Sequence, residues 1–195
     1  MSELLDEIKR LTVIKSPLFV PEIKLYSLQP FAIKYPYKVD DFNAMYGYPT
    51  WSGMSLSRFI LDNPTLLRDR VVADIGCGSG IVSIAAAMTG ARVKSIDRDI
   101  ASLYFSELNA ELNQVEVDIL WGNFNDALKY DIIIMSSLFY DAGNKDRIIQ
   151  TIKSKKVIIG SYKNSIGNHL ESSIYKDLTR VAISESKDLE VYHNL

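Results

Sequence analysis

The sequence predicts an α/β fold: a mostly parallel sheet with helices on both faces, one antiparallel strand, and a short N-terminal extension. Three observations predict it. From residue 71 onward, apolar β-branched runs alternate with helix-compatible stretches. The chain closes on two strand-like segments near enough to pair as a hairpin. Five of the six prolines precede residue 50, which breaks that part into brief pieces and places it outside the alternating pattern.

In chain order, residues 3–12 form one short amphipathic helix, and Pro17, Pro21, Pro30, Pro36 and Pro49 separate extended pieces such as EIKLYSL and FAIKYPYKV. Residues 1–50 are therefore expected to form a lid or flap of short strands and residues 51–195 the main domain. The strands are VVADIG (71–76), ARVKSID (91–97), VEVDIL (115–120), DIIIMSS (131–137) and KKVIIGS (155–161). A further helix is expected at 166–178, followed by VAISES and LEVYHNL, divided at Lys187 and Asp188.

Composition bounds the function. With 195 residues and 47% hydrophobic content the chain suits a single buried core. The balance of 22 basic against 24 acidic residues includes no run dense enough to advertise nucleic acid or an acidic lipid surface. Cys77, the single cysteine, has no partner for an internal disulfide and no Cys/His cluster around it, so a reducing, cytoplasmic setting without a bound metal is expected. MSELLDEIKRL lacks the basic and long apolar segments of a signal peptide, and no stretch reaches membrane-spanning length. His169 and His193 have no evident partner. Lys153, Lys155 and Lys156 read as a solvated turn.

The chemistry concentrates in ADIGCGSG, residues 73–80. Gly76, Gly78 and Gly80 stand where the first parallel strand ends and the helix IVSIAAAMTG begins. The helix N-terminus there offers unpaired N–H groups, and the bare backbone admits a flat nucleoside. Alone, the glycines fit an ordinary tight turn equally well. Asp97 ends the next strand, 21 residues after Gly76, the place from which a carboxylate reaches ribose hydroxyls. After the third strand, WGNFND offers Asn123 to an adenine edge and Phe124 to its face, although a polar turn with one core aromatic explains it as well. The spacing G-C-G-S-G departs from the G-x-G-x-x-G of dinucleotide sites and favours a ligand without pyrophosphate. Cys77 inside the loop reads as a small residue filling the turn.

With Asp74, these glycines and Asp97, the loop resembles the first two motifs of the class I S-adenosylmethionine-dependent methyltransferases. The resemblance implies a seven-stranded Rossmann-like sheet with a final antiparallel strand. It also implies that Asp74, Gly76, Cys77, Gly78 and Gly80 hold the methionine part, Asp97 with Arg98 the ribose, and Asn123 with Phe124 the adenine. A likeness over more of the chain is carried by PEIKLYSLQP (21–30), WSGMSLSRFILDNP (51–64) and SSLFYD (136–141). These segments resemble the electron-transfer-flavoprotein β-subunit lysine methyltransferases, relatives of the ribosomal protein methyltransferases. That family implies Trp51 and Gly53 beside the cofactor. It also implies an acidic residue followed three positions later by tyrosine at the end of the fourth strand; here Ser137 and Tyr140 hold those places.

Methyl transfer asks mainly that a nucleophile be aligned and water excluded, because the sulfonium brings its own leaving group. A lysine acceptor, with a usual pKa of about 10.4, must first lose its proton. The reading adopted from the sequence is an S-adenosylmethionine-dependent methyltransferase acting on a protein lysine, with Tyr140 and Ser137 at the acceptor amine and Ser137 also among the cofactor-binding residues. A small-molecule or RNA methyltransferase and a non-catalytic cofactor-binding module are the alternatives.

Overall fold

The computed structural model describes residues 2–28, 47–138, 145–162, 178–183 and 186–195. Helix α1 (Ser2–Leu11) leads into β1 (Thr12–Lys15), which pairs antiparallel with β2 (Leu25–Leu28). Helix α2 (Trp51–Asp62) precedes the alternating part: β3 (Val71–Ile75), α3 (Ile81–Met88), β4 (Arg92–Asp97), α4 (Ile100–Leu112), β5 (Val117–Trp121), the one-turn α5 (Phe124–Ala127), β6 (Ile132–Ser136), α6 (Lys145–Ser154) and β7 (Lys156–Tyr162). Strands β8 (Thr179–Ile183) and β9 (Ser186–His193) complete it. The extended piece at 31–39 and the helix expected at 166–178, except Leu178, lie outside the described residues.

Seven strands form one sheet in the order β5-β4-β3-β6-β7-β9-β8. All neighbours up to β7 are parallel, while β9 runs antiparallel to both β7 and β8. One antiparallel strand is thus inserted between two that run with the rest, as the sequence predicts. Lys187 and Asp188 belong to β9 and do not divide the hairpin, because its ladder continues to Ser186 opposite Ile183, past a register shift at Ala182 and Ile183.

The period of two along each strand sorts the core into two layers. Val72, Ile132, Ile134, Ile158 and Val191 face α2 and α3, meeting Leu56, Phe59, Ile60, Ile84 and Ala85. Ala73, Ile75, Ile133, Met135, Val157 and Ile159 face the other way, onto Phe124 and Ala127 of α5 and Ile148 and Ile152 of α6. The run at 132–135 reads as continuous hydrophobicity because β6 is covered on both sides. Burying each Val, Ile, Leu, Phe or Met among them contributes about 1.5–3 kcal/mol. Phe19, Val20, Ile23 and Leu25 of the extension enter the first layer, and Ile8 packs with Phe105 and Leu108 of α4.

Strand order reverses beside β3: β4 and β5 lie on one side, β6 and β7 on the other. The crevice at the carboxyl ends of β3 and β6 is the switch point where open α/β sheets bind ligands. Helix α2 is drawn toward it by Gly160 in β7. A Cβ there would fall 2.8 Å from Leu56 Cβ and 2.9 Å from the Ser52 carbonyl oxygen, so the bare backbone lets the first turns of α2 lie against the sheet.

Candidate active site

A cleft opens at this switch point. The glycine loop turns with Gly76, Gly78 and Gly80 all at positive φ, at 71°, 53° and 78°. Gly76 N and Cys77 N both donate to the Ile96 carbonyl, tying the loop to the end of β4. Gly76, Cys77 and Gly78 line the cleft. Gly80 does not, contrary to the assignment from sequence. It caps α3, and a Cβ there would stand 2.8 Å from Ser106 Cα, so this glycine lets α3 and α4 approach each other.

Two buried carboxylates face the loop from adjacent strands. Asp97 accepts Gly78 N–H on Oδ2 at 3.1 Å and Asp99 N–H on Oδ1 at 3.0 Å, and it lines the cleft. Burial raises its pKa, and these backbone donors partly offset that. Two donors leave capacity on both oxygens, which is what a pair of vicinal hydroxyls requires. Asp74 also lines the cleft, 2% exposed, with Ser83 Oγ donating to it at 2.6 Å and Ser95 Oγ donating to Ser83 at 2.6 Å. Burial, with a smaller contribution from the Asp97 charge, pushes its pKa up to about 6. Two desolvated carboxylates side by side suit a ligand that carries a cation and hydroxyls. The buried Cys77 thiol is held well above its usual pKa, by burial first and then by both carboxylates, so it is inert at neutral pH.

At the far wall, Arg98, Asn123 and Phe124 line the cleft. Asn123 is the N-cap of α5: its Oδ1 accepts Asn125 N–H at 2.9 Å, and Asp126 Oδ2 accepts Asn123 N–H at 3.0 Å in return. The side-chain oxygen is thereby engaged and the amide NH2 remains to donate. Phe124 is 7% exposed and serves both core and cleft. Asn123→Ala should destabilise the protein by about 1 kcal/mol through loss of this reciprocal cap. A melting point matching wild type would show that the cap contributes nothing.

At the near wall, Ser137 directly follows β6 with φ at 56°, a strained setting for a residue with a side chain. Its Oγ donates to Thr50 Oγ1 at 3.0 Å and contacts Ser52 Oγ. Because the single Ser137 O–H is directed at Thr50, Ser52 is the donor in that contact. Ser136 Oγ in turn donates to Ser52 at 3.4 Å, and Thr50 Oγ1 also accepts Gly53 N–H at 3.0 Å as the cap of α2. The hydroxyls therefore run in one direction, leaving Ser137 Oγ one acceptor lone pair on the lining of the cleft.

The sequence reading missed Tyr48, Thr50, Ser136, Leu138 and Arg147, which line the cleft. A threonine directly before an apolar helix is a cap signal that could have found Thr50. Trp51, assigned to the cofactor, lies outside the lining: at the first position of α2 its ring turns to Phe19, centroids 5.6 Å apart, and stays 50% exposed. Tyr140 lies outside the described residues. Among the described residues no helix is long and apolar enough to cross a membrane, and no group of three or more His, Cys, Asp or Glu side chains could hold a metal.

This sheet order, with a glycine loop after its first parallel strand and an acid ending the second, is the arrangement that the resemblance to the class I S-adenosylmethionine-dependent methyltransferases implies. Solved structures agree on the fold. Magnesium protoporphyrin IX methyltransferase from Synechocystis, with bound S-adenosylmethionine, superposes with a TM-score of 0.58 at 16% identity, covering 79% of this chain and 84% of that one. Ribosomal protein L11 methylase from Lactobacillus delbrueckii does so at 0.57 and 18% identity, covering 75% and 79%. Residues 50–154 match the ribosomal protein L11 methyltransferase (PrmA) family, and the chain belongs to that family. It is 31% identical to the electron transfer flavoprotein beta subunit lysine methyltransferase of Xenopus laevis, over 93% of this chain and 79% of the relative. The human protein of that name is also 31% identical, over 91% and 75%. The chain is an S-adenosylmethionine-dependent methyltransferase.

Proposed function

We propose that the cleft holds S-adenosylmethionine and that the methyl acceptor is a lysine amine of a protein. The paired carboxylates at the glycine loop carry the cofactor reading. In this assignment the ionised Asp74 faces the methionine ammonium, with Gly76, Cys77 and Gly78 beneath it. Asp97 and Arg98 take the ribose, and Asn123 with Phe124 takes the adenine. When bound, the cofactor supplies a methyl group on a sulfonium, so the protein needs neither a metal nor a nucleophilic side chain of its own. The names of the matched family and of the two relatives above, ribosomal protein L11 methyltransferase and electron transfer flavoprotein beta subunit lysine methyltransferase, support a protein acceptor.

Ser137 Oγ, with its remaining lone pair, accepts an N–H of the incoming amine and so orients the nitrogen; Tyr140 is assigned to the same amine from the family resemblance alone. A hydroxyl carries no charge to hold an ammonium, so the amine enters uncharged and its proton goes to water. Residues 1–50 are read as the extension and residues 51–195 as the catalytic domain, in a reducing, cytoplasmic setting consistent with a lone cysteine.

The direct test incubates the protein with radiolabelled S-adenosylmethionine and a lysate of its source. Label in a protein band, recovered as methyllysine, is expected; label in RNA or a small-molecule fraction would overturn the acceptor assignment. Ser137→Ala should lower kcat/KM for that acceptor about tenfold, the equivalent of one hydrogen bond, with cofactor affinity unchanged. Equal rates would remove Ser137 from the mechanism.

A further inference from the structure

One face of α4 touches both the N-terminal hairpin and the glycine loop, and the proposed chemistry uses none of it. Asn109 is fully buried there. Its Nδ2 donates to the Ser79 carbonyl at 2.8 Å, and its Oδ1 accepts Tyr26 N–H of β2 at 2.7 Å. One turn further, Asn113 holds only the hairpin side: Oδ1 accepts Lys24 N–H at 2.8 Å, and Nδ2 donates to the Lys24 carbonyl at 2.6 Å and to the Asn109 carbonyl at 2.7 Å. On the same face, Ser106 backs onto Gly80. Ser79 lines the cleft, and the residue after it caps α3.

A buried amide satisfied on both sides makes its two partners interdependent. If β2 leaves, Asn109 Oδ1 is orphaned in the interior, and any rotation that relieves it draws Nδ2 away from Ser79. Order in the hairpin and order in the loop are then biased by one side chain. We propose that Asn109 is a positioning residue coupling the docking of the N-terminal hairpin to the geometry of the glycine loop, so that hairpin docking and cofactor binding favour each other. This rests on reading the cleft as the cofactor site. Coupling is reciprocal, so a ligand in the cleft must also steady residues 24–28.

The test uses the full chain and S-adenosylhomocysteine as the probe. Asn113→Ala loosens the hairpin at a partly buried position outside the cleft lining. It should weaken binding of the probe about fivefold by calorimetry. In Asn109→Ala, adding Asn113→Ala should make no further difference, since the link is already cut. In wild type, the probe should slow hydrogen exchange at Tyr26 more than at β8, and this difference should vanish in Asn109→Ala. A purely structural role for the two asparagines would shift melting temperatures and leave that ligand-dependent difference in place. Wild-type affinity in a folded Asn113→Ala, or no ligand effect on residues 24–28, would overturn the coupling. Failure of the probe to bind wild type at all would instead sink the cofactor reading, and the coupling with it.

Discussion

Asp97→Ala is expected to weaken S-adenosylmethionine binding by about 1.5–3 kcal/mol, roughly 10- to 150-fold in Kd, the range for hydrogen bonds to a charged group. Two losses combine. The ribose hydroxyls lose their acceptor, and Gly78 N–H and Asp99 N–H lose the carboxylate that fixes both flanks of the cleft. Asp97→Asn should not restore affinity, because with one backbone donor on each oxygen the substituted NH2 must confront an N–H. Calorimetry on variants with wild-type near-ultraviolet circular dichroism makes the measurement. Unchanged affinity in a folded Asp97→Ala would remove this residue from the cofactor site.

Asp74→Asn is expected to make the ligand-free protein more stable at neutral pH while impairing cofactor binding. Asp74 ionises at about 6 in the folded chain against a usual 3.8, because it is desolvated beside Asp97. A carboxyl with a raised folded pKa binds its proton more tightly when folded, so its contribution to stability declines as pH rises from about 4 to about 6 and stays at its lowest above that. At about 1.4 kcal/mol per unit, the variant should gain on the order of 3 kcal/mol at pH 7.5. For a chain of this size that raises Tm by roughly 6–12 °C. Asparagine keeps an oxygen for Ser83 Oγ, so that hydrogen bond is preserved. Thermal melts at pH 4 and pH 7.5, with and without S-adenosylmethionine, provide the check. The gain should be confined to the higher pH, and the stabilisation conferred by ligand should fall sharply in the variant. A less stable variant at pH 7.5 would refute the argument. In wild type, cofactor affinity should rise with pH through about 6 as Asp74 becomes able to meet the ammonium, and then level off.

Much of the fold was legible because its signals are local. A strand buried on both faces must read as continuous hydrophobicity, as 132–135 does, and a loop that turns three times through positive φ selects glycine, as 76, 78 and 80 do. The position of Asp97 was legible for the same reason: the end of the second parallel strand lies beside the end of the first whatever else the chain does. The hairpin was misdivided at Lys187 and Asp188 because charged residues mark turns only on average, and the β8 ladder settles the matter.

The sequence by itself determined the sheet and the glycine loop, since each depends on backbone conformation and side-chain period over a few residues, while the cofactor entered through the family resemblance that those motifs carry. Only the tertiary structure decided that Gly80 serves helix packing, that Trp51 turns away from the cleft, that Thr50 and Ser52 orient Ser137 across 85 residues or more of chain, and that Asn109 joins Tyr26 to Ser79. A hydroxyl or an amide takes its role from whichever partner lies within about 3 Å, and the partners in these cases are set by how α2 and α4 pack, which no local pattern records.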